Sequence, residues 1–383
     1  SVIPLLSTLG FIFDRCYKHE MLETLEPTMP NVIAQCWKSG VFDDYAEEHF
    51  LIRAIEKDTD YFKWFSLQYN YALDSVSFPE NFLINLNTRL YGLCKTFGKE
   101  EIYGFLRNQF SAGKRNYSLN TFLEALSEIH FLFFFCAFGP KSLKLASYEP
   151  QLGCNGANPE ARFEYDDGTV LDIEVKTPCF PKRDFGENIV LPGVLLNKEG
   201  RKELSAFCQD NEIHCRLPNI NKFKEYLVSA EKKFIIPNSG KHINLLVINW
   251  SYAEFSETGL FEPVQLLCNP FNGLLVKKDI ALQLGISENV LKKVTAILVY
   301  TQPVDMLSFS DIRYLFRDRS YKIIMNPFAK FCDANTLYSL TQMSINWPSD
   351  FSKLPGAYFN LDPLVFSEQK TNHINTIIGN HLM

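Results

Sequence analysis

With 383 residues the chain is long enough for two domains, or for one domain with extensive additions, and burying a core presents no difficulty. Its composition is globular, 46% apolar and 21% charged, with 33 Phe the one unusual count. A formal charge of -6 argues against a broad electrostatic footprint for nucleic acid and leaves room for a local basic groove.

Ten Cys are scattered without a CxxC pair, and none combines with the seven His in a zinc spacing. Cys208 and Cys215 flank His214 and read as ordinary thiols rather than metal ligands. So many unpatterned thiols suit a reducing cytoplasm. Residues 2–13 are apolar but lack a basic flank, and the apolar run 131–138 is too short to span a bilayer, so neither reads as a targeting or membrane segment.

In chain order, residues 1–115 read as a helical lobe. Apolar residues recur at helical spacing over 50–71 and 82–97, and Ser77-Phe78-Pro79-Glu80 offers a helix start. Trp37, Tyr61, Phe62, Trp64 and Phe65 read as core or packing surface rather than a base-stacking platform. Such a lobe suits partner binding or substrate orientation. A new module starts at residue 116, with a helix over 120–138 capped by Ser118 or Asn120 and ended by Gly139-Pro140. Its second half is apolar nearly all round and calls for burial between layers. Glu124 reads as solvated. Glu128 sits at the edge of the buried run, where a lone carboxylate is costly unless paired or near a metal. His130 reads as a packing residue.

A strand over 142–150 and a Gly/Asn loop over 153–158 lead to residues 158–178, which carry the strongest pattern in the chain. Asp167-Gly168 is a turn signal, and apolar and polar residues alternate on either side of it. A three-residue loop of Asp166, Asp167 and Gly168 puts Ala161, Phe163, Leu171, Ile173 and Val175 on one face. On the other face Arg162 opposes Asp172 as a structural ion pair, and Glu160 opposes Glu174, with Lys176 two residues on. A two-residue loop would mix the faces. Two opposed carboxylates repel unless a cation lies between them, so the hairpin reads as built to hold a metal. Carboxylate oxygens suit Mg2+ or Mn2+, with Asp172 a back-up ligand one strand repeat away.

Beyond the hairpin a Gly- and Pro-punctuated segment runs to about residue 218, with helical character over 200–208. Residues 219–234 form a strong helix with Asn219 as cap, a buried stripe of Phe223, Leu227, Ala230 and Phe234, and Lys222, Tyr226 and Lys233 on one flank. That flank reads either as a solvated lysine face or as a surface that reaches phosphate. Nearly continuous apolar strands over 243–250 and 294–300, with a third over 321–325, imply a sheet covered on both faces and hence an α/β core. Arg313, Arg317, Arg319 and Lys322 form the best basic cluster, either a nucleic-acid-binding groove wall or a solvated helix end. The tail over 348–383 gives no functional signal, and residues 116–347 form the core module.

This ordered set, Glu128 on a helix, Asn158-Pro159-Glu160, the hairpin, Glu174-Val175-Lys176 and a Lys-bearing helix, resembles the PD-(D/E)XK nuclease superfamily over residues 116–300. The resemblance implies a restriction-endonuclease-like mixed sheet flanked by helices and a metal-dependent nuclease acting on DNA or RNA. Glu174 and Glu160 would be metal ligands, with Glu128 matching the acid many members carry on the first core helix. Lys176 would position or help deprotonate the attacking water. Lys233 would match the Lys or Gln that often follows on the next helix. Glu160 stands where the family usually has Asp, and its extra methylene shifts the carboxylate. The alternative is a catalytically impaired module that binds nucleic acid or a protein partner. A homodimer, or a partner held by the helical lobe, is the expected assembly.

Overall fold

The hairpin takes the register its charges favour. In the computed structural model Ala161–Tyr165 and Val170–Lys176 pair antiparallel, with Phe163 opposite Leu171 and Arg162 opposite Asp172. The Tyr165 and Thr169 backbones close a loop of Asp166, Asp167 and Gly168, and Gly168 takes the left-handed conformation (φ 82°) that a side chain would strain. All five apolar residues of the expected face are buried.

The structure describes residues 89–90, 92–109, 119–137, 142–178, 189–190, 195–250, 260–300, 321–341, 345–346 and 368–381. The expectations for residues 2–13, 50–71 and 77–80, for the aromatics from Trp37 to Phe65, and for Arg313, Arg317 and Arg319 lie outside them.

The chain forms two compact units. The first comprises residues 1–126 and 304–312; its described part includes helix α1 (Lys99–Asn108), with Glu100 and Glu101 in the first turn where they complement the helix dipole. Helix α2 (Leu119–Ala137) begins in this unit and continues into the second, which comprises residues 127–303 and 313–383. Asn120 lies inside α2 rather than at its cap.

The second unit is α/β, built on a mixed seven-stranded sheet flanked by helices. The strands are β1 (Leu143–Tyr148), β2 and β3 of the hairpin, β6 (His242–Asn249), β7 (Ala296–Tyr300), β8 (Tyr321–Met325) and β9 (Ile345–Asn346), in that spatial order. β4 (Ile189–Val190) and β5 (Cys215–Arg216) form a separate parallel pair. β3, β6 and β7 run parallel, β1–β2, β2–β3 and β7–β8 pair antiparallel, and β9 pairs parallel with β8. β6 and β7 are buried along their whole length, as unbroken apolar runs require of central strands.

Each face of the sheet has its own cover. The Phe-rich half of α2 lies on the apolar face of the hairpin: Phe135 meets Phe163 at 6.0 Å between ring centroids, and the Tyr165 hydroxyl donates to the Phe135 carbonyl at 3.2 Å. Phe131, Phe135 and Phe163 are fully buried, each worth about 1.5–3 kcal/mol of transfer free energy. His130 is buried here and stacks near Tyr300.

On the opposite face the parallel register sets Glu174 beside Leu246 and Lys176 beside Ile248. Leu246 and Ile248 pack with Phe223, Leu227 and Ala230 of the next long helix, α4 (Ile220–Lys233), so the Glu174 face looks toward α4. Three short helices, α5 (Phe261–Cys268), α6 (Lys278–Gln283) and α7 (Glu288–Lys293), complete that layer. Asn219 occupies the cap position of α4 but makes no capping bond. Its backbone N–H and side-chain amide instead donate to Glu262, a fully buried carboxylate that requires donors.

The last described helix, Glu368–His381, packs on α3 (Lys198–Asp210) through Ile374, Ile377 and Ile378 against Leu204 and Cys208. α8 (Ala334–Thr341) precedes β9. No described helix is long and apolar enough to cross a membrane.

Candidate active site

Strand pairing carries two acids of the hairpin's polar face into one place. Glu160 lies just before β2, where its N–H bonds the Ile173 carbonyl at 2.9 Å and continues the ladder. Glu174 follows Ile173 on β3 and is fully buried; Glu160 is 8% exposed. A buried carboxylate pair demands cations, and two lysines answer. Lys176 Nζ lies 2.6 Å from Glu174 Oε1 and 3.8 Å from Glu160 Oε1. Lys233 Nζ, from the last turn of α4, lies 2.7 Å from Glu174 Oε1 and 3.3 Å from Glu160 Oε1.

Gly153 holds the approach of loop and helix that this geometry needs. A Cβ there would collide with the Ala157 carbonyl oxygen and stand 2.5 Å from that of Lys232. Only glycine lets the loop before Glu160 lie against the end of the helix that bears Lys233.

The charges remain imperfectly matched. Burial, then repulsion from Glu160, pushes the Glu174 carboxyl up to about 7 despite Lys176 and Lys233. Both lysines crowd Oε1, and Oε2 is a buried oxygen without a hydrogen-bond partner. Burial also opposes charge on Lys233, but Glu174 and Glu160 outweigh it and raise that ammonium above the usual lysine range.

Glu128 joins from α2 at the end of the sheet. It is 8% exposed, and its Oε1 accepts a hydrogen bond from the Tyr148 hydroxyl at 3.0 Å. Burial, followed by the nearby charge of Glu160, raises its carboxyl well above the ordinary range, although the Tyr148 bond works the other way. The adjacent Ser127 accepts from the Thr177 hydroxyl at 3.1 Å and from the Asn249 amide at 2.8 Å, which pins α2 to the carboxyl ends of β3 and β6. Glu124, one turn earlier, is exposed.

Two residues before Glu174, Asp172 has a different environment. Arg162 donates through Nε and Nη2 to its two oxygens, each at 2.7 Å, and His242 Nε2 lies 2.9 Å from Oδ2. Burial alone would raise this carboxyl, but the bonds from Arg162 and His242 prevail and lower it. Asp172 is thus engaged on both oxygens, as a structural pair would be.

Of the other expected contacts, Tyr226 is half-buried against the core beneath α4, and Lys222 pairs with Glu225 at 3.0 Å. Lys322 is half-buried on β8. Cys208, His214 and Cys215 line a separate cavity of about 560 Å³ beside α3. Sequence reasoning missed Tyr148 and His242 as partners of the buried acids. The one hint for His242 is a polar residue heading a mostly apolar run.

Among the described residues no three His, Cys, Asp or Glu side chains converge on a point where an ion could sit. Glu128, Glu160 and Glu174 are carboxylates of the kind hard cations take, two with raised pKa and one with an unsatisfied buried oxygen, but they are not gathered around one point. No family model, curated protein or solved structure matches the chain.

Proposed function

We propose that this chain is a metal-dependent nuclease with a restriction-endonuclease-like PD-(D/E)XK core, hydrolysing phosphodiester bonds of DNA or RNA. The observation that carries the reading is the meeting of Glu160, Glu174 and Lys176 on one polar face, with Glu174 fully buried and its Oε2 unsatisfied. An antiparallel hairpin feeding parallel central strands supports the finer fold assignment.

Glu174, Glu160 and Glu128 would hold Mg2+ or Mn2+. A bound divalent cation supplies Lewis-acid activation of the phosphodiester and of the attacking water. Lys176, whose Nζ lies on the carboxylate face, would orient the attacking water and oppose the charge that develops on the phosphoryl oxygens. Lys233, with Tyr226 on the same helix and Arg313, Arg317 and Arg319 further along the chain, would contact the nucleic-acid backbone. A helical amino-terminal lobe would recruit a protein partner or support a homodimer, and the ten unpatterned Cys fit a cytoplasmic setting.

Purified protein should cleave a mixed DNA and RNA panel with Mg2+ or Mn2+, and Glu174→Ala or Lys176→Ala should abolish cleavage. Activity that persists in both variants overturns the assignment.

A second reading is a nuclease-like module without catalysis, which binds nucleic acid or a protein. It is favoured by the two lysines, which already occupy Glu174 Oε1 without an ion. Calorimetry separates the two: the module predicts no Mn2+ binding by the wild type.

A further inference from the structure

Two thiols meet away from the carboxylates, and the chain between them is folded to bring them together. Cys208 lies buried in the last turn of α3. The helix then closes with the paired bonds of a Schellman motif: the Glu212 N–H donates to the Gln209 carbonyl at 3.2 Å, and the Ile213 N–H to the Cys208 carbonyl at 2.8 Å. Glu212 takes the left-handed conformation (φ 55°) at the position where such motifs usually have Gly, and the chain turns back. Ile213 and Cys208 join one apolar cluster, and Cys215 at the start of β5 packs against it. Pairing of Cys215 with Ile189 holds β5 in place. The Cys215 thiol donates a hydrogen bond to the Cys208 sulfur, and the two are not joined covalently. Both line the cavity of about 560 Å³ beside α3, with Arg201, Gln209 and His214. Cys215, half-buried, is the more exposed of the pair.

We propose that Cys208 and Cys215 form a reversible disulfide on exposure to a hydroperoxide, so that this corner is a redox modification site. The proposal does not depend on the nuclease reading. Cys215, the more exposed, loses its proton and attacks the peroxide; its sulfur gains one oxygen as a sulfenic acid, and the hydroxide that leaves takes up the proton as water. The Cys208 sulfur then attacks the oxidised one: the S–S bond forms, the S–O bond breaks, and the oxygen leaves with the Cys208 proton as a second water. Two thiols lose two electrons in all, and one peroxide is reduced by them. Burial pushes the Cys208 thiol up, although the Cys215 bond works the other way, which suits Cys208 to the resolving role rather than to first attack. The bond would fasten β5 to the end of α3, the helix on which Ile374, Ile377 and Ile378 pack. In a reducing compartment such a bond is transient and reports an oxidant.

The test treats the full 383-residue chain, folded, with a small molar excess of hydrogen peroxide, blocks the remaining thiols with N-ethylmaleimide and weighs the tryptic peptides. Cleavage after Lys202 and Arg216 leaves both cysteines on one peptide, residues 203–216. That peptide should return lacking two hydrogens and carrying no maleimide, and dithiothreitol should restore both thiols. In Cys208→Ser the sulfenic acid should persist on Cys215, where dimedone traps it. Because cysteines this near in sequence can also join in an unfolded chain, the glutathione equilibrium is measured in buffer and in urea. The folded chain should hold the disulfide about tenfold or more strongly, since the turn has already set the sulfurs together. Maleimide on both cysteines of the treated wild type, sulfinic acid in place of the disulfide, or a bond no stronger in the folded chain than in urea overturns the proposal. Should Cys208→Ser not fold, these wild-type measurements decide alone.

Discussion

Asp172 and Glu174 stand two residues apart on one face of one strand, both fully buried, and their pKa values are shifted in opposite directions. Burial pushes both carboxyls up, so depth is not the difference. Asp172 has an arginine fork on both oxygens and a histidine beside it, whereas Glu174 shares its two lysines with a second carboxylate and leaves Oε2 unsatisfied. A planar, bidentate cation offsets desolvation where point charges divided between two acids do not. One end of the hairpin is therefore finished as structure, and the other retains the unspent electrostatic demand that a ligand can meet.

The largest expected effect breaks the finished end. Asp172→Asn should destabilise the protein by about 3–5 kcal/mol, seen as a lower denaturant midpoint, because Arg162 loses its counter-charge inside the sheet. A loss below about 1 kcal/mol would mean that the pair does not support the hairpin. A smaller effect, of opposite sign in pH, belongs to Glu174. Its folded pKa is raised from 4.5 to about 7, so between those values the folded state binds more protons than the unfolded one, and stability falls as pH rises. The metal-free protein should lose about 1–3 kcal/mol over that window, and Glu174→Gln should flatten the profile. Asp172, with its pKa lowered, acts the other way: its contribution is present above the ordinary aspartate range and vanishes on acidification below it. Equal slopes in wild type and Glu174→Gln would contradict the contrast between the two acids.

The hairpin was legible in the sequence because its constraints are local. The turn residues, the period-two alternation and the Arg162–Asp172 pairing agree in only one register, and that register is the one found. Lys233 was legible too, since helical periodicity puts it off the buried stripe at the end of α4. The same periodicity could not distinguish Lys233 from Lys222, which turns to Glu225 on its own helix. What escaped depends on chain crossings that no local pattern encodes. His242 reaches Asp172 across 70 residues, Tyr148 reaches Glu128 across 20, and Glu262 takes the donors of Asn219 across 43. In each case a buried carboxylate drew in a distant donor, so its burial was the missing information rather than any residue preference.

The smallest expected effect comes from Lys233→Gln, and it separates the two ends of the hairpin most finely. Removing one lysine leaves Glu174 with Lys176 still at 2.6 Å, and takes away one of the charges that holds its pKa down. The carboxyl can then take up a proton in place of the lost cation, an exchange closed to Asp172 at neutral pH because its pKa lies low. At pH 6 the stability cost should therefore stay within about 1 kcal/mol, and it should grow by pH 8 as the proton becomes harder to retain. If the acids hold a cation, Mn2+ should bind Lys233→Gln several-fold more tightly than wild type, since an ammonium no longer competes for Glu174 Oε1, while cleavage falls with the loss of a phosphate contact. Weaker Mn2+ binding would place Lys233 among the supports of the site rather than among the cations an ion must displace.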